Sequence, residues 1–408
     1  MATLTTTLPV WNPFTKGYRD NPYDHLRLLR EQNPVHRGIN GRWMVLPYED
    51  VKASLGNPVF QTIQFSDILT AKEPLLPEGH NLHDLSASVA KWLLFMNPPD
   101  HTQLRTLVVR IWNQYKVRAL IEEVVTEALD RLRKKRHADL IADFAESIPM
   151  QVVCRILGLP ATDHERLRIW SKGFARAVEP FNSLYDLLAL NTIAGEFYAY
   201  IEAVLATKRN HPDDSFLSRF MDANDLQDEP LSYSELVSVF IILFFAGIET
   251  SVYLFGHTTL NLLLNPEQFQ FLRENPACTQ SAVEEFIRFA CPLQYTPRVP
   301  STDVEIRGVS IRAGEIVMLS LASANRDPAI FAEPERLKLD RTPNPHLSFG
   351  HSFHHCLGAR LAREEMQVAI PLFVQQFPDV RLHKDCPPVW ERLITNRGLQ
   401  SLPVCLTP

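Results

Sequence analysis

The chain lacks the features that mark secreted, membrane-spanning or nucleic-acid-binding proteins. Its six cysteines contain no Cys-x-x-Cys pair, so the sequence favours a reducing compartment over a disulfide framework. Lys and Arg number 41 against 47 Asp and Glu, and a formal net charge of −6 gives no general attraction to nucleic acid. Residues 1–9 lack the charged and apolar regions of a signal peptide.

Long hydrophobic runs and the common enzyme motifs are also missing. The most apolar run, residues 237–248, is about half of the roughly 20 residues that a membrane helix needs. No Gly-x-Ser-x-Gly elbow, Walker loop, Gly-x-Gly-x-x-Gly or His-Glu-x-x-His is present. With 45% hydrophobic residues the chain can still bury a large core. We therefore expect a cytoplasmic protein with no membrane anchor.

One decamer carries the strongest chemical signal. Residues 349–358 read Phe-Gly-His-Ser-Phe-His-His-Cys-Leu-Gly, a glycine-containing loop followed by a helical pattern. This arrangement puts the thiol of Cys356 near a helix N-terminus, where unpaired N–H groups and the helix dipole favour the thiolate that binds metals. The neighbouring histidines leave a zinc cluster open, but adjacent residues do not easily converge on one tetrahedral ion. An inert buried cysteine is the other alternative.

A second signal lies inside a long helix predicted from Ser232 to Asn265. Ser232 and Glu235 form a capping box, and the centre of the helix reads Ala246-Gly247-Ile248-Glu249-Thr250. An acid and a hydroxyl in a buried helix are costly unless they are paired or used. We expect Thr250 to bond the carbonyl of Ala246 and loosen the helix there. The alternative is a simple kink with a satisfied threonine.

Other elements are predicted from periodicity and from turn residues. Residues 60–95 show poor periodicity and read as a long loop, and residues 163–210 read as two or three helices broken at Gly173 and Pro180. A stripe of Leu357, Leu361, Val368 and Leu372 is expected to be buried. Further helices are expected at 23–31, 50–55, 117–136, 139–157 and 280–290, and a hairpin at 304–311.

The decamer resembles the haem-ligand loop of the cytochrome P450 superfamily, Phe-Gly-x-Gly-x-His/Arg-x-Cys-x-Gly. The resemblance implies that Cys356 is the axial ligand of haem b, whose iron it supplies with electron density. It also implies that Phe349 and Gly358 border the cofactor. Ser352 departs from the pattern, where the family usually has glycine, and it would be strained if the backbone has φ > 0.

Further motifs match the same family in the same order along the chain. The helix centre matches Ala-Gly-x-Glu/Asp-Thr, so Ala246 and Gly247 border the cofactor and Glu249 and Thr250 deliver protons. Four side chains match the positions that bind haem propionates: His101, Arg105, Arg298 and His354. Three more match a structural triad behind the loop, formed by Glu-x-x-Arg and a later arginine: Glu285, Arg288 and Arg336.

The family resemblance predicts one mainly α-helical domain over residues 1–408, with the cytochrome P450 fold, small β-sheets near 35–46 and 298–320, and no fused reductase. It implies a monooxygenase that inserts one atom of O2 into a small apolar substrate by hydroxylation or epoxidation, in secondary metabolism. Its electrons would come from a ferredoxin or flavodoxin with its reductase. A basic patch on the cysteine side could dock this partner, with an ordinary solvated face as the alternative: Arg105, Arg110, Lys116, Arg360 and Arg363. The candidate pocket residues are Leu94, Ile242, Phe245, Leu293, Gln294 and Ile394.

Two other functions remain open at this stage. Some relatives use the same haem for peroxide-driven or non-oxygenating reactions, and the intact pair Glu249–Thr250 disfavours this alternative. A non-enzymatic haem-binding sensor is the second alternative.

Overall fold

A computed structural model describes residues 8–407. Within this range the chain forms sixteen α-helices, which supply most of the regular structure. They are α1 (Lys16–Asp20), α2 (Pro22–Gln32), α3 (Tyr48–Gly56), α4 (Phe65–Lys72), α5 (His83–Val89), α6 (Asp100–Trp112), α7 (Arg118–Arg133), α8 (Ser147–Leu157), α9 (His164–Ala177), α10 (Leu184–Asn210), α11 (Phe216–Asp225), α12 (Tyr233–Leu264), α13 (Pro266–Glu274), α14 (Thr279–Ala290), α15 (Leu321–Ala324) and α16 (Ala359–Gln376).

Twelve short strands in the described residues form four small sheets, with orders β1-β2-β8-β5-β3, β4-β12-β9, β6-β7 and β10-β11. The strands are β1 (Val35–Arg37), β2 (Trp43–Val45), β3 (Phe60–Gln61), β4 (His137–Asp139), β5 (Tyr295–Pro300), β6 (Val304–Ile306), β7 (Val309–Ile311), β8 (Val317–Ser320), β9 (Arg381–Leu382), β10 (Val389–Trp390), β11 (Leu399–Ser401) and β12 (Pro403–Cys405). The first and third sheets confirm the predicted β regions and the hairpin. The second and fourth were not predicted.

The long helix α12 organises the helical core. The hydroxyl of Ser232 accepts a hydrogen bond from the N–H of Glu235, and the Glu235 carboxylate accepts one from the N–H of Ser232. The predicted capping box is therefore confirmed. Its 32 residues span about 48 Å at about 1.5 Å per residue. The helix is long and apolar enough to cross a membrane, but 83% of its most apolar window is buried inside the protein. It packs against α5, α8, α9, α10 and α14, so α12 is the central helix of the core.

Several predictions of single elements were wrong. Residues 60–95 contain β3, α4 and α5, because short helices do not need strong periodicity when tertiary packing holds them. Helix α9 runs through Gly173, where the missing side chain makes room for Ile193 of α10. The helix predicted over 139–157 is a strand, a π-helical turn at Ile141–Ala145 and α8. Leu372 is 38% exposed, not buried.

Candidate active site

The centre of α12 presents an opening in an otherwise buried helix. Ala246 and Thr250 are exposed and lie among buried neighbours, so they face a space inside the fold. The hydroxyl of Thr250 donates to the carbonyl of Ala246 at 3.0 Å, as predicted. A Cβ added at Gly247 would lie 3.0 Å from Val153 of α8. Gly247 therefore lets α8 approach α12 closely, a reason for glycine that the sequence did not indicate.

Glu249 lies in a different environment from Thr250. Its side chain is 4% exposed, and burial raises its pKa to about 7, against the opposing effects of Ser171 and Lys172 of α9. A carboxyl with such a pKa exchanges its proton readily near neutral pH. The helix thus places an acid–base group and a hydroxyl next to each other in sequence, with only the hydroxyl open to the internal space.

The four predicted propionate-binding side chains come together. The ring of His101 on α6 lies 4.2 Å from the ring of His354, centroid to centroid. The guanidinium of Arg105 donates from Nη2 to the carbonyl of His355 at 2.5 Å. Arg298 on β5 is 4% exposed and donates to Thr296 Oγ1 at 2.9 Å and to the Pro297 carbonyl at 2.8 Å.

This cluster is rich in donors and contains no carboxylate partner among the described residues. Neither ring nitrogen of His101 has a hydrogen-bond partner within residues 8–407, although the side chain is 1% exposed. Burial, together with the charges of nearby arginines, lowers the pKa of His101 to about 4 and that of His354 to about 3. Burial also lowers the pKa of Arg298 to about 10, so it stays charged. Buried donors of this kind fit an anionic group such as the two propionates of haem.

The cysteine loop lies directly beside these donors. Gly350 has φ = +71° and Ser352 has φ = +60°, so the serine adopts the left-handed conformation that was predicted to strain it. The N–H of Cys356 donates to the carbonyl of Phe349 at 2.8 Å, which closes the loop before α16 begins at Ala359. The side chain of Arg363 lies over the ring of Phe349, 4.6 Å from its centre.

The environment of the Cys356 thiol differs in part from the prediction. Desolvation raises its pKa, although the residue borders an open cavity of about 420 Å³ that is also lined by Arg360, Arg363 and Glu364. The N–H groups of Gly358 and Ala359 and the charge of Arg105 act in the opposite direction. The helix N-terminus therefore favours the thiolate as predicted, but it does not outweigh burial. A Cβ at Gly358 would make only ordinary contact with Cys356 Sγ at 3.9 Å.

The structural triad behind the loop is only partly the predicted one. Glu285 and Arg288 are fully buried and joined by two hydrogen bonds of 2.7 and 2.8 Å. Arg336 does not join them, because its side chain is 72% exposed and pairs with Glu333 at 2.6 Å. Arg341 takes its place and donates from Nε to Glu285 Oε2 at 2.9 Å. The prediction of Arg336 was wrong, and the third member of the triad is Arg341.

The triad is connected to the cysteine loop. Arg288 donates to the carbonyl of Asn325 at 2.8 Å, and the side chain of Asn325 bonds the N–H of Leu347 at 2.7 Å and the hydroxyl of Ser348 at 2.8 Å. These contacts hold the segment that leads into Phe349.

Predicted pocket residues come from two parts of the fold. Ile242 and Phe245 lie on α12, and Phe245 stacks on Trp92, with ring centres 5.4 Å apart. Leu293 pairs with Asn396, and the N–H of Gln294 donates to the carbonyl of Thr395 at 2.8 Å, so both lie beside the segment that contains Ile394. Gln294 is buried and its Nε2 donates to the Cys291 carbonyl, which indicates a structural role. Leu94 is 37% exposed.

Sequence reasoning missed two parts of this region. Trp92 and Phe174 join Phe245 in one aromatic cluster, and single aromatic residues without a motif gave no signal. Glu179 accepts from the N–H groups of Ile394 and Thr395 at 2.7 and 3.1 Å. Burial raises the pKa of this carboxyl, and the backbone donors oppose the rise. Glu179 thus holds the segment around Ile394 against the end of α9.

The predicted basic patch is partly neutralised. Arg360 pairs with Glu364 at 2.7 Å and Arg363 pairs with Glu284 at 2.7 Å, while Arg105 bonds the cysteine loop. Arg110 and Lys116 are exposed. The positive charge near Cys356 is therefore smaller than the count of basic residues indicated.

Comparison with known proteins agrees with this geometry. The family model "Cytochrome P450" matches residues 182–397. The chain is 36% identical over 396 residues to cytochrome P450 CYP107DY1 of Priestia megaterium, covering 93% of this chain and 94% of that protein. It is 37% identical over 389 residues to the mycinamicin IV hydroxylase/epoxidase of Micromonospora griseorubida, covering 92% and 93%.

A solved structure extends the likeness to three dimensions. P450BioI, in complex with an acyl carrier protein ligated to hexadec-9Z-enoic acid, superposes with a TM-score of 0.87 at 35% identity, covering 96% of this chain and 99% of that one. Members of this family bind haem through a cysteine thiolate. The chain therefore belongs to the cytochrome P450 superfamily, as a monooxygenase of the bacterial type.

Proposed function

We propose that Cys356 is the axial ligand of a haem b, and that the enzyme hydroxylates or epoxidises a small apolar compound of secondary metabolism. When bound, the haem supplies the redox chemistry by which one atom of O2 enters the substrate and the other leaves as water. The observation that carries the assignment of the haem site is the convergence of buried donors beside Cys356, with the unpartnered nitrogens of His101 in contact with His354.

Different residues of the chain would hold the carboxylates and the iron of the haem. His101, Arg105, Arg298 and His354 would hold the two propionates, since each is a donor or cation beside the loop. N–H groups of Gly358 and Ala359 favour the thiolate form of Cys356. These contacts would orient the cofactor through both its ligand and its carboxylates.

Proton delivery is assigned to the centre of α12. The Thr250 hydroxyl faces the internal space and its bond to the Ala246 carbonyl positions Oγ1. Glu249, with a pKa of about 7, can both take up and release a proton at neutral pH. This pair favours reaction with O2 over a peroxide-driven reaction, because reduction of O2 consumes protons from solvent whereas a peroxide brings its own.

The substrate class rests on apolar candidate side chains, two on α12 and one beside the segment that contains Ile394. Ile242, Phe245 and Leu293 offer dispersion contacts and few hydrogen bonds. By their names, one relative hydroxylates or epoxidises mycinamicin IV, and another was solved with an acyl carrier protein that carries hexadec-9Z-enoic acid. We propose that this enzyme oxidises an apolar natural product in the cytoplasm, receives electrons from a separate ferredoxin or flavodoxin with its reductase, and is a single domain over residues 1–408.

The test of this assignment uses the reduced protein under carbon monoxide. We expect the long-wavelength Soret band of a thiolate-ligated haem in the unmodified protein and its loss in Cys356→His, where an imidazole replaces the thiolate. Cys278→Ser, outside the site, is the matched control and should leave the band unchanged. Thiolate-type absorption in Cys356→His would overturn the assignment. Product mass spectrometry with ¹⁸O2 then identifies the oxidised substrate.

A further inference from the structure

A second cluster of metal-binding side chains lies on the small sheet β4-β12-β9, which is not part of the haem site. His137, His383 and Cys405 each offer one nitrogen or sulfur, and these three atoms all lie within 4.8 Å of one another. Imidazole nitrogen and thiolate sulfur are the ligands that Zn²⁺ prefers in proteins. We propose that these three residues form a binding site for one Zn²⁺ ion.

The register of the sheet brings the three side chains to one face. Cys405 in β12 lies directly opposite His137 in β4, and directly opposite Arg381 in β9. The backbone N–H of His383 donates to the carbonyl of Pro403 at 3.0 Å, so His383 lies two residues beyond Arg381 on the same face. Opposite and diagonal neighbours on one face are within reach of long side chains. The backbone pairing therefore positions all three ligands.

The distance between the closest two ligands suits a shared metal ion. His137 Nδ1 and Cys405 Sγ are 3.4 Å apart. Zinc bonds of about 2.3 Å to sulfur and about 2.05 Å to nitrogen, at a tetrahedral angle, place these two atoms about 3.6 Å apart. The rings of His137 and His383 have their centres 5.5 Å apart, at an angle of 60°. The other ligand atoms lie within 4.8 Å, so side-chain rotation would bring them to zinc-bonding distance.

The ligand chemistry balances without another reactant. Zn²⁺ binds the thiolate, so the proton of Cys405 passes to solvent, and both imidazoles bind in their neutral form. His383 Nδ1 accepts a long hydrogen bond of 3.3 Å from the N–H of Asp385, a weak contact that a metal bond can replace. His137 is exposed, so water can reach the ion and complete a tetrahedral set.

A bound ion would join parts of the chain that are far apart in sequence. The ligands come from a strand after α7, from the end of β9 and from the last strand of the described chain. Strands β4 and β9 have two or three residues each and carry few ladder bonds. The ion would therefore hold β12 to both neighbouring strands.

The test uses the untagged haem-loaded enzyme, freed of loosely bound metal with a chelator and titrated with ZnCl2 by calorimetry. We expect one Zn²⁺ per chain by mass spectrometry of the metals, no binding of Mg²⁺, and a melting temperature that rises with zinc concentration. Cys405→Ser and His137→Gln should each weaken binding more than about 100-fold, since losing a ligand costs more than losing an outer hydrogen bond.

Cys386→Ser is the matched control, because Cys386 is an exposed cysteine three residues after His383 and outside the cluster. It should bind zinc as the unmodified enzyme does. Failure of the unmodified enzyme to bind zinc would overturn the proposal and leave a simple S–H···N hydrogen bond. An equal loss in Cys386→Ser and Cys405→Ser would also overturn it, because it would mean adventitious binding to exposed thiols.

Discussion

Replacing Arg341 by methionine should destabilise the protein strongly, whereas the same change at Arg336 should have almost no effect. Arg341 donates to Glu285 at 2.9 Å and to the carbonyls of Ala332 and Glu333 at 2.7 and 3.2 Å. Glu285 keeps its buried partner Arg288, but removal of Arg341 takes away one donor to the carboxylate and the donors to two carbonyls. A hydrogen bond to a charged group contributes about 1.5–3 kcal/mol, so we expect a loss of at least about 1.5 kcal/mol.

Arg336 provides the matched control, since it is the arginine that the sequence motif indicates. Its side chain is 72% exposed and pairs with Glu333, three residues away. Solvent screens an ion pair of this kind, so Arg336→Met should leave the free energy of unfolding almost unchanged. Comparing the stability losses of the two variants therefore tests whether the buried contact of Arg341 or the motif position of Arg336 stabilises the protein.

Urea denaturation followed by circular dichroism and by haem absorbance measures both variants. Arg341→Lys, which keeps the charge but cannot reproduce the planar contacts, should lose less than Arg341→Met. Because the triad holds the segment before Phe349 through Asn325, we also expect Arg341→Met to release haem at a lower urea concentration. Equal losses in Arg341→Met and Arg336→Met, or a larger loss in the latter, would refute the reasoning.

Three further predictions concern the active site. Thr250→Ala should uncouple electron consumption from product formation, while Thr250→Ser should stay coupled. The measurements are the ratio of NADH consumed to product formed and the amount of hydrogen peroxide released. Glu249→Gln should remove the pH dependence that this carboxyl gives to the free energy of unfolding. Because burial raises the pKa of Glu249 to about 7, the carboxyl ionises at lower pH in the unfolded chain, and the stability of the unmodified protein relative to the variant should fall by about 2.5 kcal/mol from pH 5 to pH 8. A difference in urea unfolding that stays constant over this pH range would contradict the prediction. His101→Phe should speed haem transfer to apomyoglobin about 10–100-fold, because it removes the proposed hydrogen bond to a propionate and a hydrogen bond to a charged group contributes about 1.5–3 kcal/mol. The control His351→Ala should leave the rate unchanged.

The sequence was informative where the structure depends on neighbours along the chain. The capping box of Ser232 and Glu235 and the bond from Thr250 to Ala246 both join residues three or four apart, and both were predicted. Such contacts follow from helix geometry alone.

Contacts between distant residues were not predictable in this way. Arg341 lies 56 residues from Glu285, and many arginines compete for one buried carboxylate, so burial decides among them. Strand β4 pairs with β12 across more than 260 residues, and strands of three residues carry little periodicity of their own. The motif match still predicted that His101, Arg105, Arg298 and His354 come together, because it records which distant positions meet in the fold.

In the proposed haem site, the residues suited to binding an anionic cofactor are the ones that cost the protein alone stability. Arg298 remains charged at neutral pH although its hydrogen bonds go only to a hydroxyl and a carbonyl, and burial keeps His101 and His354 neutral. The protein alone does not offset the cost of burying that charge. An anion placed among these donors removes the cost, so its binding energy adds directly to the stability of the folded chain. In the proposed haem site, the cofactor should therefore act as part of the core, and Arg298, whose buried charge weakens the protein alone, should help to hold it.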